Sequence, residues 1–151
     1  MKKSIFMFIG YVLIACSNLK AQEPVTTPVG VIEDGKAVMT LDKESVLSIY
    51  NANLLSASKI DGQFTDVGIE DRETEEGIQY YLVFRGERYI SSFAIEVQEQ
   101  QLLALAGISC TTSDCASELG GCVPAVTSCT PCSNQGKCTK TISNISLIEQ
   151  W

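Results

Sequence analysis

The sequence predicts an α+β fold: one helix packed on an antiparallel meander sheet, followed by a loop-rich, disulfide-stapled C-terminal segment. Three observations predict it. After Asp42, apolar residues recur at three- and four-residue steps, the spacing of one helical face. The runs on either side are short, rich in β-formers and punctuated by Asp-Gly and Arg-Gly pairs. Six of the seven cysteines then crowd between Cys110 and Cys138. With 151 residues, 45% apolar and 19% charged, the balance is ordinary for a globular chain and suits a single body.

The chain opens on an export signal, residues 1–21. Lys2 and Lys3 precede the uncharged apolar run Ile5 to Ala15, which is too short to cross ~30 Å of hydrocarbon but suits a signal core. Leu13-Ile14-Ala15-Cys16 resembles the bacterial lipobox. That resemblance implies lipidation of Cys16 and attachment to a membrane, with each buried methylene adding ~0.8 kcal/mol. The other cut falls after Ala21 and leaves Gln22 as the first residue. Either way Cys16 leaves the disulfide count, and the remaining six make an even set. Cleavage after Ala21 removes Lys2, Lys3 and Lys20 and no acid, so the net charge of −7 becomes −10. Retention of Cys16 keeps Lys20 and gives −9. The expected location is outside the cytoplasm, as an outer-membrane or cell-surface lipoprotein or as a periplasmic or secreted protein.

Residues 22–28, punctuated by Pro24 and Pro28, read as a tether. The α+β domain is expected over 29–107. Val29-Gly-Val-Ile-Glu33 and Lys36-Ala-Val-Met-Thr40 flank Asp34-Gly35, a hairpin signal because both turn positions favour positive φ. The spacing of Val46, Ile49, Tyr50, Leu54 and Ala57 predicts a helix near 43–56, with Asp42 as its N-cap and Glu44 in its first turn. Strands follow near Phe64–Asp71, Ile78–Phe84 and Tyr89–Val97. Leu102 to Ala106 fits either a fourth strand or a short helix. The outline resembles small exported domains in which a sheet wraps a helix, such as cystatin-like and PepSY-like modules. That resemblance is one of fold, and no motif of either family stands in the chain. Six acids between Asp66 and Glu76 read as a solvated hairpin tip, since no D-x-D-x-D-G calcium loop is present.

Residues 108–151 form the cysteine-rich segment, with the spacing C-x4-C-x6-C-x6-C-x2-C-x5-C from Cys110 through Cys115, Cys122, Cys129 and Cys132 to Cys138. Gly120, Gly121, Pro124, Pro131 and Gly136 interrupt it, so loops held by disulfides are expected. Six cysteines allow 15 pairings. Cys129 and Cys132 are the pair least suited to each other, because so short a loop is strained. After Cys138, the apolar residues Ile142, Ile145, Leu147, Ile148 and Trp151 suit an edge strand or a helical turn.

The function classes narrow by exclusion. Histidine is absent, which removes Ser-His-Asp, Cys-His and His-ligated metal chemistry. No nucleophile motif or phosphate loop is present, so no catalytic residue, metal ligand or cofactor is assigned. Acids outnumber bases 18 to 11, which argues against a nucleic-acid partner. The expected role is binding, by a disulfide-stabilised domain, of a protein, a peptide or a cell-envelope component. The alternative is a zinc-binding or thiol redox protein centred on Cys129-Thr-Pro-Cys132, which has the C-x-x-C form of thiol–disulfide oxidoreductases. Against it stand the turn sequence after Cys132 and the lack of a second C-x2-C knuckle.

Overall fold

The computed structural model describes residues 26–74, 77–118, 122–125 and 127–142. The expectations for the signal, for Cys16 and its lipidation, and for the chain after Ile142 lie outside these residues. Among them are seven strands and one helix. Strands β1 (Thr26–Glu33) and β2 (Lys36–Met39) form the predicted hairpin, with Asp34 and Gly35 at φ 49° and 76°. Helix α1 (Lys43–Ser58) starts where Asp42 Oδ1 accepts the Ser45 N–H at 2.9 Å. It ends at Lys59, left-handed at φ 63°, whose N–H donates to the Leu55 carbonyl at 3.1 Å. Val46, Tyr50 and Leu54 form its buried stripe, whereas Ile49 is half-buried and Ala57 is exposed. The helix is therefore attached along a narrower seam than its apolar spacing suggests.

Strands β3 (Phe64–Thr74), β4 (Gly77–Gly86), β5 (Ile90–Gln98) and β6 (Gln101–Thr112) follow as an antiparallel meander, and β7 (Thr139–Ile142) returns to pair with β6. The order across the sheet is β2-β1-β6-β5-β4-β3, with β7 also against β6. Leu102 to Ala106, ambiguous by propensity, lies within β6 because it is hydrogen-bonded to β1 and β5 on both sides. The acidic residues Asp66, Glu70, Asp71 and Glu73 stand along β3, not at a tip, because the strand continues to Thr74. Asp66 pairs with Lys43 at 3.3 Å, and Glu70 with Arg85.

The sheet curls until its ends approach. A Cβ on Gly30 in β1 would meet the Val38 carbonyl at 2.4 Å and Ile69 of β3 at 2.8 Å, so only glycine fits where β1, β2 and β3 converge. The helix fills the concave side, where Tyr50 and Leu54 pack with Val29, Val67, Leu82, Phe84, Phe93 and Leu102.

Alternation along β5 assigns the two faces. Ser91 turns toward the helix, its Oγ 2.6 Å from the Tyr50 hydroxyl. Ser92 turns the other way and donates to the Cys122 carbonyl at 3.2 Å. The stapled segment thus covers the face opposite the helix, and Val123 packs there on Tyr81, Val83 and Ile90. The expected pair of layers, helix and sheet, carries a third.

One irregularity shapes this third layer. Phe93 is opposite Ser109 and Ile95 is opposite Ala104, so the single Ala94 faces residues 105–108 of β6. Gly107 in this bulge has φ 116°. On either side of the bulge β6 changes partner, from β1 at Gln101–Leu105 to β7 at Ile108–Thr111.

Candidate functional site

The six C-terminal cysteines form three bonds, Cys110–Cys129, Cys115–Cys132 and Cys122–Cys138. Each joins a cysteine to the one three places later in the cysteine order, so the three loops interleave and each is crossed by the other two. Cys129 and Cys132 do not face one another as a redox pair, because each is bonded to a different partner. The geometry that thiol–disulfide exchange at a C-x-x-C motif requires is therefore missing, and no helix begins at Cys132 to lower a thiol pKa.

Hydrogen bonds complete the staple. Val123 and Thr130 clasp a short loop: the Val123 N–H donates to Thr130 Oγ1 at 3.0 Å, and the Thr130 N–H donates to the Val123 carbonyl at 2.9 Å. At the other end, Thr112 Oγ1 donates to the Lys137 carbonyl at 2.7 Å and accepts the Asp114 N–H at 3.0 Å. Asp114 Oδ2 accepts the Lys137 N–H at 2.7 Å, and Glu118 Oε2 accepts both the hydroxyl (2.7 Å) and the N–H (3.0 Å) of Ser133. The Lys137 N–H, then Ser113, holds the Asp114 carboxyl below its ordinary value. The Ser133 hydroxyl, then its N–H, does the same for Glu118, and the Ser45 bonds do it for Asp42.

These depressed values set a pH response. A carboxyl whose pKa is lower folded than unfolded contributes stability above its unfolded value and loses it as pH falls through the folded one. The urea midpoint is expected to be level near neutrality. It is expected to fall as pH drops below the ordinary values of 4.5 for Glu118 and 3.8 for Asp42 and Asp114. Asp114→Asn with Glu118→Gln should flatten part of that slope, and an unchanged slope would show that neither carboxylate holds the staple.

Between the bulge and the staple lies a cavity of about 680 Å³. Leu105, Ala106 and Ile108 of the bulge form one wall, Val123, Pro124 and Ala125 the other, and Tyr81 and Ala94 stand between them. Polar groups are few, with Gln79 and Thr130 contributing side chains to the lining. Arg72 lies beside this cavity, its guanidinium 5.0 Å from the centre of the Tyr81 ring. Its Nε and one Nη are shielded from solvent and have no hydrogen-bond partner among the described residues. Burial lowers its pKa against the opposing pull of Glu70. A second cleft of about 980 Å³, at the C-terminal end of the helix, mixes Lys59, Arg85 and Arg88 with Asp61, Asp66 and Glu87. Its signs cancel, and its apolar lining is confined to Ile60 and Tyr89 among polar and charged neighbours.

The cysteines assigned from sequence are thus brought together as a scaffold, and the cavity is lined by other residues. Tyr81, Ala106 and Val123–Ala125 carried no sequence signal for a site. The one available hint was Gly107 inside an otherwise regular strand pattern, which marks a bulge. Comparison with protein families, curated proteins and solved structures finds no match for the chain.

Proposed function

We propose that the protein is an exported, non-catalytic binding domain whose apolar cavity receives part of a protein, peptide or cell-envelope component. The observation that supports this is the cavity between a bulged sheet and a covalently fixed wall. Walls held by disulfides lose little conformational freedom when a ligand docks, so more of the contact energy appears as affinity. Three disulfides suit an oxidising compartment. No helix among the described residues is long and apolar enough to cross a membrane. The apolar walls choose the body of the ligand, and the Arg72 guanidinium, two of whose nitrogens have no partner among the described residues, favours an anionic group beside it.

An amphipathic anion is therefore the right probe. Anilinonaphthalene sulfonate is expected to bind native, oxidised protein at one saturable site, with enhanced fluorescence. Ala106→Trp, which fills the cavity from the bulge, should abolish that binding while leaving the circular dichroism unchanged. Arg72→Gln should weaken it. Undiminished binding to a folded Ala106→Trp variant would refute this cavity as the site.

A further inference from the structure

We propose that Cys129 is a thiol-addition site, and that the exchange a small thiol begins there passes inward to the Cys122–Cys138 bond. The starting point is the oxidised chain with its three bonds formed. The Sγ atoms of Cys110, Cys129 and Cys138 lie within 4.8 Å of one another. Both sulfurs of the Cys110–Cys129 bond thus stand close to one sulfur of the Cys122–Cys138 bond.

Access differs along this group. Cys110 is fully buried in β6, whereas Cys129 is half-buried, in a loop whose neighbours Thr127, Ser128 and Pro131 are exposed. A thiol arriving from solvent therefore meets the Cys110–Cys129 bond at Cys129. Lys140 stands opposite Cys110 in the β6–β7 pairing, and its ammonium reaches the Thr127 carbonyl at 3.1 Å. A cation beside this loop favours the thiolate form of the attacking group.

Two exchanges follow, each a thiolate displacing another from sulfur. In the first, the small thiol gives up its proton and its sulfur bonds to Cys129 Sγ. The Cys110–Cys129 bond breaks, and its electron pair stays on Cys110. In the second, Cys110 Sγ attacks Cys138 Sγ. A Cys110–Cys138 bond forms, the Cys122–Cys138 bond breaks, and Cys122 leaves with the electron pair and takes up the proton. One small thiol is consumed, and the products are a mixed disulfide at Cys129 and a free thiol at Cys122. No oxidant or second reductant is needed.

The fold favours the second step. A thiolate buried as deeply as Cys110 is costly, and the pairing of β6 with β5 and β7 keeps it beside Cys138. Cys122 lies outside the strands and can withdraw once its bond opens. The segment stays stapled throughout, because Cys110–Cys138 replaces Cys110–Cys129 as the link to β6 and Cys115–Cys132 is untouched. Val123, the next residue after Cys122, lines the apolar cavity, so the freed thiol arises at that wall.

The test uses the full oxidised chain under native conditions. It is exposed briefly to cysteamine, blocked with N-ethylmaleimide in denaturant, and digested with pepsin in acid so that no bond reshuffles. Mass spectrometry is expected to find cysteamine on Cys129, maleimide on Cys122 in equal amount, and a new Cys110–Cys138 bond. Maleimide on Cys110 with Cys122–Cys138 intact would show that nothing passes inward. Cysteamine first on another cysteine, or no adduct at all, would remove Cys129 as the site. Either result overturns the proposal. Cys122→Ala with Cys138→Ala takes away the second bond, and the same pulse should then leave the maleimide on Cys110. The mapping is read on the unaltered sequence, so it stands even if that variant fails to fold.

Discussion

Tyr50→Ala is expected to destabilise the oxidised protein by about 3–5 kcal/mol, the range for removing a large buried aromatic side chain. Tyr50 is fully buried, and its ring centroid lies 4.0 Å from that of Phe84 and 5.4 Å from those of Phe64 and Phe93. Truncation therefore leaves a cavity at the meeting point of the helix, β3, β4 and β5. Tyr50→Phe separates ring from hydroxyl. It removes the 2.6 Å bond to Ser91, but Ser91 keeps Thr111 at 2.6 Å and the Cys110 carbonyl at 3.3 Å. Its cost should be about 1 kcal/mol, that of one hydrogen bond with the partner still satisfied. Urea denaturation of the three proteins with disulfides intact measures both values. A Tyr50→Ala loss no larger than the Tyr50→Phe loss would show that the aromatic cluster does not hold the helix to the sheet.

Removal of the disulfides should be strongly non-additive. The bonds close sequence separations of 19, 17 and 16 residues, and an isolated loop of such length contributes about 3 kcal/mol through the unfolded chain. Here the loops interleave, so any two bonds already confine much of what the third confines. Loss of one bond, as in Cys115→Ala with Cys132→Ala, should therefore cost less than about 3 kcal/mol. Loss of all three should cost more than three times the single value and should unfold residues 112–138 as a unit. Hydrogen exchange, read segment by segment, follows this directly: one bond removed should leave amides near the remaining two protected, and full reduction should expose them all. Additive costs across single, double and triple removal would show that the loops act independently.

The helix, the first hairpin and the positions of β3, β4 and β5 along the chain were legible because each rests on local signals. Asp42 is a side-chain cap, Asp34-Gly35 is a turn with its own φ demand, and strands β4 and β5 are dense in β-formers. What escaped was non-local. Leu102 to Ala106 is undecided between strand and helix by composition and is a strand because β1 and β5 flank it. The three-residue offset of β6 against β5 follows from pairing across the sheet, and Gly107 alone hinted at it. The docking of the staple on the face opposite the helix depends on which sulfurs meet, which spacing left among 15 possibilities. The cavity is the joint product of those two features, so it was invisible from sequence. The cysteines were legible as a set but not as pairs.

Cys110 sits inside strand β6, paired with Ser92 on one side and Lys140 on the other. This gives the sheet the role of a jig for oxidation. Before β5, β6 and β7 assemble, the sulfurs meet at random and wrong bonds form as readily as right ones. Once they assemble, the strand register has already fixed Cys110, so one sulfur is in place before any bond forms. Order of events then decides yield: chains allowed to fold before an oxidant is added recover the native bonds, and chains oxidised in denaturant become trapped in scrambled isomers.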